Sequence, residues 1–179
     1  MQAPVPGPID FQLVPYGKEH DAQTVQWLNN AELQRDFGLS RPVTQESHRA
    51  WVERNPETII WAITRNSRHL GNVLLDVNKN RRSAYLQIYL GEASARGKGI
   101  GGQALSCVLN FGFEEMGLHR IWLHTLPENQ VAIKLYKKLG FVCEGTERDV
   151  IFRNGVFSDQ YRWSILIRDW FGLKKATQK

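Results

Sequence analysis

The stretch Glu92-Ala93-Ser94-Ala95-Arg96-Gly97-Lys98-Gly99-Ile100-Gly101-Gly102 constrains this chain more than any other. An apolar-rich run from Ala84 to Leu90 leads into it, and a long amphipathic pattern from Ile100 to Met116 leads out. That order reads as a strand, a glycine-rich turn and the start of a helix. Glycines let the backbone turn sharply and come close to a ligand. The first amides of a helix have no partner within it, and the helix dipole makes them attract negative charge. Arg96 and Lys98 add positive charge at the same place. The turn is therefore read as the site of a phosphate-bearing cofactor.

Three ligand readings compete for that turn, beside the plain one of a helix cap. Gly97, Gly99 and Gly102 match G-x-G-x-x-G, which in a dinucleotide fold needs an acid at the end of the next strand. The next strand, His119 to Thr125, ends in His124 and Thr125, so that reading is set aside. A P-loop needs Lys followed by Ser or Thr after its last glycine, and Gln103 stands here instead. The third reading is a family. Arg96-Gly97-Lys98-Gly99-Ile100-Gly101 resembles the Arg/Gln-x-x-Gly-x-Gly/Ala signature of the GNAT superfamily of acyl-CoA N-acyltransferases. A second block, Asn129-Gln130-Val131-Ala132-Ile133-Lys134-Leu135-Tyr136-Lys137-Lys138-Leu139-Gly140-Phe141, resembles the family's Asn-x-x-Ala-x-x-x-Tyr-x-x-x-Gly-Phe segment. The two blocks stand in the family's order. The resemblance runs well from about Tyr85 to Leu166, and over the first half only in element order.

At 179 residues and 42% hydrophobic the chain has the size and composition of one soluble domain with a substantial core. No apolar run approaches the roughly 20 residues that span a membrane, and Met1 to Pro8 reads as a loose Pro-rich lead rather than a signal peptide. The reading is residues 1–8 as lead, 9–168 as a single acetyltransferase domain, and 169–179 as a short frayed tail. The net charge of +5 comes from scattered basic residues that form no nucleic-acid motif, and a phosphorylated ligand accounts for it equally well. Cys107 and Cys143 read as small buried hydrophobes in a reducing compartment, the cytoplasm.

Taken in order, Ile9 to Pro15 is predicted as an edge strand. Asp21 is predicted to cap a helix through Trp27 and Leu28, which Asn29-Asn30 interrupts. Thr44 is predicted to cap a second helix to about Arg54. Trp27 and Trp51 are read as core and His48 as a helix-surface histidine, with contact to substrate as the alternative for all three. Thr58 to Leu90 forms three strands joined by short polar turns, an antiparallel meander. The helix from Ile100 to Met116 stops at Gly117, and the strand His119 to Thr125 then lies parallel to its predecessor by a right-handed crossover. A further helix ends at Gly140, and a hairpin around Asn154-Gly155 closes the sheet. The class is α+β: a mixed, mostly antiparallel central sheet with one parallel pair and flanking helices. It agrees with the GNAT fold, in which the resemblance implies that the parallel strands splay apart and hold the acyl-CoA between them.

The same resemblance implies the chemistry. Acetyl-CoA is the cofactor, held by Leu90 at the strand end, by Arg96, Gly97, Lys98, Gly99, Ile100 and Gly101 in the turn, and by Asn129 on the pantetheine arm. Ala132 is small where that arm passes, and Tyr136 is the acid that protonates the departing thiolate. Asn129, Ala132 and Tyr136 fall on one helix face. His124 is the candidate base, since imidazole titrates near neutrality; the alternative is a histidine that merely lines the cleft. Glu92, Glu144 and Asp159 are read as surface acids. No metal site is expected. The acceptor is a primary amine, either a small molecule (amino sugar, amino acid) or a peptide N-terminus, as in the branch that acetylates bacterial ribosomal proteins and small amines. A homodimer is left open, and no nucleic-acid or membrane partner is expected. The alternative function is a non-catalytic domain that binds coenzyme A for regulation or assembly.

Overall fold

The computed structural model describes residues 10–37, 39, 41–153 and 155–177. Its elements are β1 (Gln12–Pro15), α1 (Asp21–Leu28), α2 (Ala31–Asp36), α3 (Gln45–Arg54), β2 (Thr58–Arg65), β3 (Arg68–Asn78) and β4 (Ser83–Leu90). They continue with α4 (Ile100–Asn110), β5 (Arg120–Thr125), α5 (Gln130–Lys138), β6 (Val142–Arg153), β7 (Val156–Leu166) and α6 (Ile167–Thr177). The strands make one seven-stranded sheet in the order β1-β2-β3-β4-β5-β7-β6. Every neighbouring pair is antiparallel except β4 and β5. The predicted lead, Ile9 at the start of the first strand and Asn154 of the closing turn lie outside the described residues.

Strand alternation assigns the two faces. Trp61, Ile63, Val73, Leu75, Leu86, Ile121, Leu123 and Ile165 point one way, into a core shared with Ile100, Leu105 and Val108 of α4 and with Ile133 and Tyr136 of α5. Leu74 and Tyr89 point the other way, against Trp27 of α1 and Leu33 of α2. So α4, α5 and α6 cover one face, and α1 to α3 cover part of the other. On that second face the β4–β5–β7–β6 half carries polar and aromatic side chains instead.

Local signals act where the sequence places them. Thr44 caps α3 by accepting from the Ser47 amide at 3.1 Å, and Asn30 caps α2 by accepting from Glu32 at 2.9 Å. Gly117 (φ +63°) and Gly140 (φ +85°) take the left-handed backbone that ends a helix. The last turn of the α4 segment widens to a π-turn over Phe111–Glu115. Backbone there runs close to β5: a Cβ on Gly112 would come within 2.8 Å of Ile121.

Five expectations are corrected. Asp21 does not cap α1. A 3₁₀ turn over Lys18–His20 precedes it, and the buried Asp21 carboxylate instead pairs with Arg49 of α3, the Arg49 Nε lying at 2.8 Å. His48 is buried rather than on the surface, hydrogen-bonded to the Tyr16 hydroxyl at 2.9 Å, whereas Trp51 is 38% exposed. Cys143 is exposed because β6 is the sheet edge, while Cys107 is buried. The stretch after residue 168 is no frayed tail but most of α6. Trp170 is buried there, and its indole donates to Asn110 at 2.8 Å. Truncating a buried tryptophan costs about 3–5 kcal/mol. Trp170→Ala is expected to lower the urea-unfolding free energy by that amount, and a loss below about 1 kcal/mol would mean α6 is not docked.

Candidate active site

β4 and β5 pair over three positions only: Ser83 with Arg120, Ala84 with Ile121, and Tyr85 with Trp122. From Leu86 to Leu90 β4 runs on without a β5 partner, and so does β5 from Leu123 to Thr125. The strands therefore part at Tyr85 and Trp122. β3 still holds β4 as far as Leu90, and β7 still holds β5 as far as Thr125. Unpaired backbone inside a sheet is costly unless something bonds to it, so the gap calls for an extended ligand that carries amides of its own.

The glycine turn stands at the open end of this gap. Gly97 (φ +72°) and Gly99 (φ +78°) both adopt the left-handed region, and Gly99 forms the N-cap of α4. A Cβ on Gly97 would meet nothing within 4 Å, and one on Gly101 would meet only Leu90 Cδ1 at 3.9 Å. The first turn of α4 thus lies beside the end of β4, with room at Gly97, and the N-terminal amides of the helix have no partner within it. Ile100, fully buried, anchors that turn in the core. Lys98 is exposed at its rim. Arg96 is not a loose cation: its Nε donates to the Leu90 carbonyl at 2.9 Å and its Nη1 pairs with Glu32 at 2.7 Å. It ties the turn to β4 and to α2. An extended ligand with a diphosphate fits this set of residues, the phosphates at the α4 amides and the chain in the gap.

α5 packs on the core face of the sheet through Ile133 and Tyr136. Asn129 is its N-cap, with Oδ1 accepting from the Ala132 amide at 3.1 Å. The side chain read as a cofactor ligand therefore also starts the helix that carries Tyr136. Tyr136 is buried, its ring 5.6 Å from that of Phe141.

His124 lies on the other face of the sheet, because it alternates with Leu123. The structure thus sets the candidate acid and base on opposite faces, on either side of the parted strands. His124 sits among rings, 5.5 Å from Tyr85 and 5.1 Å from Trp122. Its Nε2 is 3.1 Å from Glu147 Oε2, without the alignment of a full hydrogen bond. Burial pushes the His124 pKa below its usual 6.5, and Arg162 works in the same direction against the opposing pull of Glu147. Burial alone would raise Glu147, but the hydrogen bond from Gln160 and the nearness of His124 and Arg162 outweigh it and hold it lower.

The three acids read as surface charges are all engaged. Glu92 pairs with Arg68 at 2.6 Å and accepts from Ser94. Glu144 is clamped by both Arg120 Nη atoms and by Ser164, which with Arg120 foremost holds its pKa at about 2. Asp159 accepts from the Asp149 amide at 2.9 Å and so secures the β6 bulge, where Asp149 has φ +52°. Sequence reasoning missed Tyr85, Trp122, Glu147, Gln160 and Arg162. Alternation alone could have set Tyr85, Trp122 and His124 on one face. The bulges in β6 conceal its register with β7, and hence the meeting of Glu147 with Gln160 and Arg162.

Comparison with known proteins follows the same line. A family model described as an acetyltransferase (GNAT) domain matches residues 10–142. The spermidine N(1)-acetyltransferase of Vibrio cholerae is 37% identical over 93 residues, 52% of this chain and 53% of that protein. The matched stretch thus spans about half the length of such curated relatives. In structure, the chain is similar to a Vibrio cholerae spermidine N-acetyltransferase solved with CoA and spermine, at TM-score 0.84 and 23% identity over 90% of this chain and 98% of that one. A ribosomal-protein alpha-N-acetyltransferase solved with coenzyme A gives TM-score 0.81 at 21% identity, over 93% of this chain and 99% of that one. At these identities the structural likeness speaks for the fold.

Proposed function

The chain belongs to the GNAT acetyltransferase family, and from that premise we propose that it moves an acetyl group from acetyl-CoA to a primary amine by direct attack in a ternary complex. The observation that carries the reading is the parting of β4 from β5 beyond Tyr85 and Trp122, beside the glycine turn at the start of α4. Acetyl-CoA supplies the acetyl thioester. The residues Arg96 to Gly101 and the first α4 amides hold its diphosphate, and the backbone near Leu90 bonds its extended arm. Asn129, besides capping α5, borders the same arm. His124 takes the proton of the acceptor ammonium from one face of the sheet, and Tyr136 gives a proton to the leaving sulfur from the other. The relatives include spermidine and ribosomal-protein acetyltransferases, which supports a small amine or a peptide N-terminus as acceptor class. A cytoplasmic setting belongs to the same proposal. So does the option of a homodimer, which sedimentation of the purified protein tests directly.

Coenzyme A release, followed with a thiol reagent across amino acids, amino sugars, peptides and polyamines, tests the activity. Tight acetyl-CoA binding with no release for any amine would favour a binding domain without turnover. His124 has its own signature. Its lowered pKa leaves it neutral, hence able to accept a proton, at pH 7, and that capacity is lost as pH falls through a value below 6.5. The wild-type rate is expected to fall along an acid limb in that region. His124→Ala should reduce kcat about 100- to 10,000-fold and remove the limb. An unchanged profile would exclude His124 as the base.

A further inference from the structure

The polar face beside the gap carries a charge pattern that selects among amines. Glu147, the acid in contact with His124, has no capacity to spare. Oε1 pairs with Arg162 Nη2 at 2.6 Å, and Oε2 accepts from Gln160 at 2.6 Å and faces His124 at 3.1 Å. Four further carboxylates are committed in the same way: Glu32 to Arg96, Glu92 to Arg68, Glu144 to Arg120 and Asp21 to Arg49. A polyamine carries several cationic nitrogens, and these carboxylates are all occupied by cations of the protein.

Arg162 is committed on one side only. Its Nη2 holds Glu147, its Nε is buried, and its guanidinium lies over the Trp122 ring at 4.8 Å, at the point where the strands part. Its side chain is still 42% exposed, so the outer edge of the guanidinium is open to a ligand. His124 and Arg162 are direct cross-strand partners, so their Cβ atoms are only about 5 Å apart. With His124 neutral, the His124–Glu147–Arg162 set has no net charge and offers a polycation no free anion. A complementary ligand brings an amine to the imidazole and an anion to the exposed part of the neighbouring guanidinium.

We propose that the acceptor is a free amino acid, its amine directed at the gap beside His124 and its carboxylate held by Arg162. The inference rests on the acyl-transfer reading above and names its substrate class. In the transfer the amine nitrogen forms a bond to the acetyl carbon as the C–S bond breaks. His124 removes the amine proton, and Tyr136 returns one to the sulfur. Arg162 takes part only in binding, a role suited to a planar fork that matches carboxylate geometry.

The test is coenzyme A release with each of the common amino acids, with the carboxamide of each, and with spermidine. The expected result is a preferred amino acid whose kcat/KM exceeds that of its carboxamide at least tenfold. Arg162→Gln should bring that ratio close to one, chiefly through KM for the acid, and Arg162→Lys should keep part of it. If Arg162→Gln does not fold, as judged by its thermal melt, the wild-type ratio decides alone. A carboxamide or spermidine turned over as well as the best amino acid would overturn the inference and leave acyl transfer standing. No release with any amine would overturn both.

Discussion

Tyr136→Phe is expected to lower kcat about 10- to 1,000-fold while the affinity for acetyl-CoA stays within about twofold of wild type. The asymmetry follows from where the side chain sits. Tyr136 is 7% exposed, with its ring packed near Phe141 on the inward face of α5. Phenylalanine keeps that ring and loses only the hydroxyl, so the packing that shapes the gap survives. What disappears is the proton for the departing thiolate, needed only as the C–S bond breaks. Steady-state kinetics combined with calorimetric titration of acetyl-CoA separate the two quantities. Turnover near the wild-type rate would take Tyr136 out of the mechanism. A parallel loss of binding would make it a wall of the site.

Gly101→Leu is expected to weaken cofactor binding about 100-fold without destabilising the protein. Gly101 lies in the first turn of α4, and a Cβ there meets only Leu90 Cδ1 at 3.9 Å. That is an ordinary van der Waals contact without a clash, and leucine is the better helix former by roughly 0.8 kcal/mol. Thermal stability should therefore hold or rise slightly. The new side chain occupies the room in which a diphosphate would approach the α4 amides. Losing two charge-assisted hydrogen bonds of about 1.5 kcal/mol or more each lowers affinity about 100-fold. Titration of acetyl-CoA into the variant, alongside a melting curve, checks both halves. Unchanged affinity would move the diphosphate away from this turn, and with it the reading of Arg96 to Gly101.

The glycine turn around Gly97 and Gly99 and the α5 face that carries Tyr136 were legible before any coordinates, and for a physical reason. A glycine at positive φ, a helix N-terminus and a helical face of Asn129, Ala132 and Tyr136 are local requirements, written within a few neighbouring positions. His48 and Trp51 show the opposite case. They stand three apart on one helix, and nothing in that helix says which of them meets Tyr16 and Asp21 from α1 and its approach. Trp170 was likewise lost to a tail reading, because the partner that orders it, Asn110, is 60 residues away.

The sequence alone determined the mixed sheet, the glycine-rich turn at the start of α4, the crossover that makes β4 and β5 parallel, and the order of α4 and α5. It did so because glycine backbone freedom, helix caps and the periods of strands and helices act over short range. Only the tertiary structure decided how far β4 and β5 stay paired, that Tyr136 and His124 approach from opposite faces, and that Glu147, Gln160 and Arg162 gather around the histidine. Those facts depend on register between strands far apart in the chain, and β6 reaches its register through bulges. A shift of one residue there would turn Glu147 to the other face. The character of the polar face around His124 is therefore a property of strand alignment, which no local pattern encodes.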